Sequence, residues 1–300
     1  MSNGRHIHLA GIIPVANMVT DLDLAVPACL LPVDPGFTAI QKAVFECAMA
    51  GCQTIWIVAN DDLAPVVKKI VGEWVYDPVH YCRQYEVYPS EHRKEIPIYY
   101  VPVHPKDRDR RDSYGWSVLH GINSAWRVAN IISQWMVPHK YFVAFPMSAY
   151  NVYALKNLRP KISDFENNFF LTHEAKTIKD NEPLAFTMFG EDFLECRRYV
   201  NKSTTREYID PGPDAKYPTQ KLPLHERWSA RRFDLATIFT NVNDKNAHLC
   251  EIPWYYDISK WENYQDFMGS KNFIQKPTDA LTKAHTHVKL PYREGELDDD

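Results

Sequence analysis

The side chains best suited to chemistry in this chain are those that handle anions. Lys106-Asp107-Arg108-Asp109-Arg110-Arg111 puts one ammonium and three guanidinium groups in a short loop, and guanidinium forks grip phosphate oxygens two at a time. The same mixed-sign run reads equally as a solvated loop. HERWSARRFD adds Arg227, Arg231 and Arg232 beside Trp228, a combination that suits phosphate or base stacking as well as a protein interface. His6/His8 and His285/His287 alternate as strand residues do, so each pair faces one way, but neither has a third metal ligand nearby. The six cysteines form no C-x-x-C pair and read as reduced structural thiols. No P-loop, nucleophile elbow, H-E-x-x-H or dinucleotide fingerprint occurs.

The elements that must position these groups alternate. His6–Ile13 reads as a strand. Phe37–Gly51 reads as a helix with Ile40, Ala43, Val44, Cys47 and Ala48 on one apolar stripe and Gly51 as its stop. Gln53–Ala59 is a near-continuous apolar run suited to a strand covered on both faces. A helix is expected from about Asn60 to Val75, a strand over Ile98–Val103, a helix over Trp116–Trp135 and a strand over Tyr141–Phe145. Such alternation predicts an α/β fold: a Rossmann-like, doubly wound, mainly parallel sheet with its ligand crevice at the carboxyl ends of the strands. The stretch 155–245 reads as an irregular inserted lobe, with two alternating runs around an Asp180-Asn181 turn and a Pro-, Tyr- and Arg-rich excursion over 205–230.

The wording of the first half, HLAGIIP followed by PACLLPVDPGFTAIQKAVFECAMAGCQTIWIVA, resembles the opening of the sugar-phosphate nucleotidyltransferases. These begin with a strand ending in L-A-x-G, a glycine-rich phosphate loop, P-K-x-L-L-P-V, a helix and a second strand. PWYYDISKWENYQDF is similar to a later metal-binding segment of the same superfamily, whose fold is that of nucleotide-diphospho-sugar transferases. The resemblance implies one domain over 1–275, with its core in 6–150 and 250–268, the insertion at about 155–245, and a tail over 276–300. It implies a nucleotide site at Ala10, Gly11, Gly115 and Ser117, helped by Lys106, Arg108 and Arg111. It also implies Asp257 as ligand to Mg²⁺ or Mn²⁺. Residue by residue, Gly115 is also an ordinary helix start, and Asp257 an ordinary N-cap.

The motifs depart from the family where its chemistry lies. The phosphate loop matches as Gly11-Ile12-Ile13-Pro14-Val15, with one glycine left and a proline that lacks an N–H donor. The lysine position is Ala28, and the first metal-binding carboxylate falls in Pro146-Met147-Ser148. Two functions are therefore expected. One is a protein that binds a nucleoside triphosphate or nucleotide sugar and transfers a nucleotidyl or glycosyl group. The other is a catalytically inactive relative that binds a protein partner through its Arg- and aromatic-rich insertion. Asp61 or Asp62, after the second strand, could restore the lost carboxylate.

Composition limits the rest. Three hundred residues, 45% hydrophobic, can bury a large core. A net charge of −4 gives no electrostatic footprint for nucleic acid, so that partner is not expected. No apolar run approaches the ~20 residues of a membrane span, and the N-terminal residues lack a signal-peptide layout, which predicts a cytoplasmic protein.

Overall fold

The computed structural model describes residues 8–79, 94–104, 107, 111, 113–132, 137–204, 212–214, 216, 217, 220 and 233–277. Lys106, Arg108, the Arg227–Arg232 group, the His285/His287 pair and most of the expected tail lie outside these residues.

The first half of the chain builds β1 (Leu9–Pro14), β2 (Pro32–Asp34), β3 (Phe37–Thr38), α1 (Ala39–Ala50), β4 (Thr54–Ala59), α2 (Ala64–Val71), β5 (Trp74–Tyr76), β6 (Glu95–Pro102), α3 (Tyr114–Ile132) and β7 (Lys140–Val143). β1 lies between β4 and β7 and is parallel to both, with Gly11 opposite Ile55 on one side and Phe142 on the other. Every residue of β1 and β4 is buried, as central strands with both faces covered require. Because side chains alternate across a strand, Ile13 joins the core under α1 while its neighbour Ile12 joins the core under α3.

Local chemistry sets the helix ends. Thr38 and Gln41 close a capping box at the start of α1, and Gly51, at φ 92°, ends it in the left-handed region that glycine enters freely. All of α1 except Gln41 is buried, so the helix carries a wider inward surface than the five-residue stripe expected from sequence. α2 is shorter than expected: Pro65 opens it and Gly72 stops it. Trp74–Tyr76 then pairs antiparallel with β6 as β5, an edge strand in place of the helix expected to reach Val75.

Beyond β7, the chain forms β8 (Ser148–Ala149), α4 (Leu155–Ile162), β9 (Phe169–Thr172), β10 (Phe186–Phe189), α5 (Gly190–Thr204), α6 (Leu235–Phe239), β11 (His248–Glu251), β12 (Tyr256–Asp257) and α7 (Trp261–Gly269). Much of 155–245 is thus regular. The two runs around Asp180-Asn181 are β9 and β10, antiparallel with Phe186 opposite Phe170, and Asn181 turns the chain at φ 66°. The described residues place eight strands in one sheet, in the order β11-β9-β10-β7-β1-β4-β6-β5. This is a mainly parallel α/β sheet with antiparallel β10 inside it and antiparallel β5 at one edge. A short ladder, β8 with β12, sets Asp257 opposite Ser148, bringing the C-terminal segment to the end of β7. Among the described residues, no helix is long and apolar enough to cross a membrane.

Candidate functional site

A cavity of about 560 Å³ opens at the carboxyl ends of the parallel strands. Three segments build most of it. The first follows β1: the amides of Val15 and Ala16 both donate to the Val58 carbonyl, at 2.8 and 2.9 Å, which holds the chain against β4 before it turns away. Asn17 makes that turn at φ 60°, a left-handed conformation that asparagine tolerates better than most residues. Its carboxamide nitrogen is buried and has no hydrogen-bond partner, although the residue lines the cavity.

The second segment is the start of α3. Gly115 lines the cavity and packs so closely on α6 that a Cβ there would meet Ile238 Cδ1 at 2.6 Å. Tyr114 also lines the cavity, and its hydroxyl is buried without a partner. Burial first, and then the charge of Asp257, push this phenol well above its ordinary pKa, so it remains an O–H donor.

The third segment carries Asp257. Its Oδ1 accepts from the Ser259 amide at 3.2 Å and hydroxyl at 2.6 Å, and its Oδ2 lies 3.5 Å from Lys260 Nζ. The same segment grips the loop after β1: the Asp21 amide donates to the Ser259 carbonyl, and Asp21 Oδ1 accepts from the Trp261 amide at 2.7 Å.

The end of β7 is fixed from beneath. Lys42, on α1 and fully buried, donates to the carbonyls of Phe145 and Ser148 and to Glu46 Oε2 at 2.9 Å. Burial raises the Glu46 carboxyl above its ordinary range, against the opposing pulls of Lys42 and Tyr150. Met147, held between those two carbonyls, lines the cavity where the sequence resemblance would require a carboxylate.

The sequence-expected residues divide. Gly115 and Asp257 meet at the cavity. Ala10 and Gly11 do not reach it: both lie within β1, and a Cβ on Gly11 would meet Cys47 Sγ at 2.8 Å and Cys52 Sγ at 3.2 Å. Gly11 is therefore small because α1 crosses close above it, and the turn at the strand end comes later, at Asn17. Ser117 is buried, and its hydroxyl donates to the carbonyls of Ala16 and Ser113, so it holds the loop in place and does not face the cavity. Arg111 lines a different cavity, while Lys106 and Arg108 fall outside the described residues. Asp61 and Asp62 do not line the crevice. Asn17 and Tyr114 escaped the sequence reading. The signal for Asn17 was an asparagine directly after an apolar strand; nothing marked Tyr114.

No protein-family model and no curated protein matches the sequence. Solved structures do. A Bacillus anthracis protein assigned as a glucose-1-phosphate thymidylyltransferase, in complex with sucrose, superposes at a TM-score of 0.52 over 89% of this chain and 98% of its own, at 11% identity. This chain has the nucleotidyltransferase-like fold. A nucleoside-diphosphate-sugar pyrophosphorylase from Vibrio cholerae RC9 aligns over 87% of this chain and 100% of its own at 15% identity, with a TM-score of 0.47, too low to add to that assignment.

A divalent metal in a nucleotidyltransferase-like crevice needs oxygen ligands. Among the described residues, no group of three or more His, Cys, Asp or Glu side chains could hold an ion. Asp257 is already shared between Ser259 and Lys260, and Met147 offers only a thioether, a poor partner for Mg²⁺ or Mn²⁺. Among the described residues, the donor set at the crevice does not fit a metal ion.

Proposed function

We propose that the crevice binds a nucleotide or nucleotide sugar, and that this chain is a transferase-like binding protein without metal-centred transfer. The observation that carries the reading is the pair of buried, unpartnered donors at an open cavity, the Asn17 carboxamide and the Tyr114 hydroxyl. A buried polar group left unmade costs about 1–3 kcal/mol, so two at one cavity favour a ligand that brings acceptor oxygens. Sugar hydroxyls, base carbonyls and phosphate oxygens all qualify. Position supports the same reading, since ligands of open α/β sheets sit at the carboxyl ends of the strands.

The absence of chemistry is favoured by Met147 and by the Lys42 anchor beneath it, which together make the end of β7 apolar and fixed. Nucleotidyl or glycosyl transfer with Mg²⁺ or Mn²⁺ would have Asp257 as its one expected protein ligand. A cytoplasmic setting fits the five described cysteines, all buried and free.

A thermal-shift screen of nucleoside mono-, di- and triphosphates and of nucleotide sugars tests the proposal. Ligand at a hundred times its Kd adds about 2.7 kcal/mol of stability, so one chemical class should raise Tm by several degrees. A folded protein whose Tm moves with none of them would refute the binding reading.

A further inference from the structure

A second cavity, of about 460 Å³, lies on the outer flank of α3, where His104, Asp107 and Arg111 and, from helix α5, Arg197 line it as well. Three guanidinium groups line it, Arg111, Arg127 and Arg197, together with His104 and His120. Among the described residues one carboxylate accompanies them, Asp107, and it pairs with Arg111 at 3.4 Å. Among the described residues, neither Arg127 nor Arg197 makes an ion pair. Arg197 is half-buried and oriented: its Nη1 donates to Asn123 Oδ1 at 2.7 Å, and its guanidinium lies over the Phe193 ring. Burial, and then the nearby charge of Arg127, lower its pKa from the ordinary value, with Arg111 adding to that repulsion and Asp107 opposing it.

The cavity floor adds a further donor. Trp116, only 4% exposed, lines the cavity, and its indole Nε1 has no acceptor. The Arg111 guanidinium stacks 5.2 Å from that ring, which fixes it at the rim. His120 Nε2 bonds to the Pro102 carbonyl at 3.0 Å and so holds its ring against the end of β6. Like charges gathered in a concave, partly desolvated site repel one another unless an anion occupies it. Guanidinium forks and an N–H donor match the oxygens of a phosphoryl group.

We infer that this cavity is a binding site, separate from the crevice, for the phosphate or diphosphate group of a small molecule, with Arg127 and Arg197 as its principal contacts and the Trp116 N–H as a further donor. A nucleic-acid strand would need a continuous basic track, whereas the guanidinium groups here gather in one cavity.

The test is calorimetric titration of the full chain with inorganic pyrophosphate and with tripolyphosphate, in EDTA, for wild type, Arg127→Gln/Arg197→Gln and Asn17→Gly. Losing two charge-assisted contacts should weaken the arginine-dependent binding at least about tenfold in the arginine variant, whereas Asn17→Gly should alter only binding to the crevice. Binding that falls in Asn17→Gly but not in the arginine variant would put the anion in the crevice and overturn the inference. So would the absence of heat from wild type. A single-stranded oligonucleotide that binds through the arginines when neither phosphate probe does would replace the small-molecule site with a nucleic-acid surface. Circular dichroism and melting curves for Arg127→Lys/Arg197→Lys, which keep charge but lose the fork, separate lost contacts from lost folding: a folded lysine variant should bind between wild type and the glutamine variant, and equal binding by all three would refute the arginine contacts.

Discussion

The loops that follow β1 and β7 meet at one crevice, yet they are built in opposite ways. The loop after β7 is anchored through its backbone: Lys42 bonds the Phe145 and Ser148 carbonyls from below, and Met147 between them is 2% exposed, although Ser148 Oγ is itself buried without a partner. The loop after β1 is tied only at intervals, by Ser117 at Ala16 and by Asp21 at Ser259 and Trp261, and it leaves the Asn17 carboxamide unpaired beside the cavity. Rigidity and apolarity sit where metal-centred transfer would need a carboxylate, whereas free donors sit where a ligand would rest. On the proposed reading, this contrast separates binding from turnover within one fold.

Breaking the anchored side should have the largest effect. Lys42→Met strands Glu46 in the core, and removing one partner of a buried pair costs about 3–5 kcal/mol. Urea unfolding at neutral pH should show that loss. The pH dependence follows from the raised Glu46 carboxyl. A carboxyl whose folded pKa lies above its unfolded value favours the folded chain fully below the unfolded value of 4.5, and this contribution is lost as pH rises through the folded value. Without Lys42 the folded value climbs further, so the deficit of the variant should shrink on acidification towards pH 4.5. A deficit independent of pH would mean that the pair does not govern this loop.

Gly11→Ala sharpens the comparison by testing a residue that the sequence assigns to ligand and the structure assigns to packing. A methyl group there overlaps Cys47 Sγ, and overpacking of this kind costs about 1–3 kcal/mol. Stability measured by denaturant should fall while ligand affinity in the folded protein stays unchanged. Loss of affinity at unchanged stability would return Gly11 to the site.

The smallest effect belongs to Asn17→Gly. Glycine accepts φ 60° freely and removes a buried donor that has no partner, so Tm should hold or rise slightly. A lost hydrogen bond of about 0.5–1.5 kcal/mol should weaken crevice ligands roughly two- to tenfold. An unaltered Kd would remove Asn17 from the site.

These residues also mark how much could be read from sequence. The central strands were legible because β1 and β4 are unbroken apolar runs buried on both faces. The outer half was harder. α5 carries its core contacts on Phe193, Cys196 and Val200 while Leu194 and Tyr199 stay exposed, and Pro160, a residue that argues against a helix, lies inside α4. β9 and β10 were legible as two runs around the Asp180-Asn181 turn, but β11 is only four residues long and its partner β9 is distant in sequence. At the site, matching L-A-x-G placed the phosphate loop at Gly11, but the strand continues to Pro14 and the chain turns at Asn17. Asp257 and Gly115, whose elements are marked by local wording, both line the cavity. The Lys42 anchor was not, since a lysine in an amphipathic helix reads as a solvent-facing residue until the tertiary fold covers it.

The most direct measurement is the sign of the Asp257→Asn effect on crevice affinity, by calorimetry with the ligand class found in the thermal screen, in EDTA and again with Mn²⁺. If the crevice binds without a protein-held metal, Asp257 only repels phosphate. The variant should then bind as tightly as wild type or several-fold tighter in EDTA, with Mn²⁺ changing little. Wild-type binding that requires Mn²⁺ and disappears in Asp257→Asn would contradict the account and make the crevice a metal-dependent site.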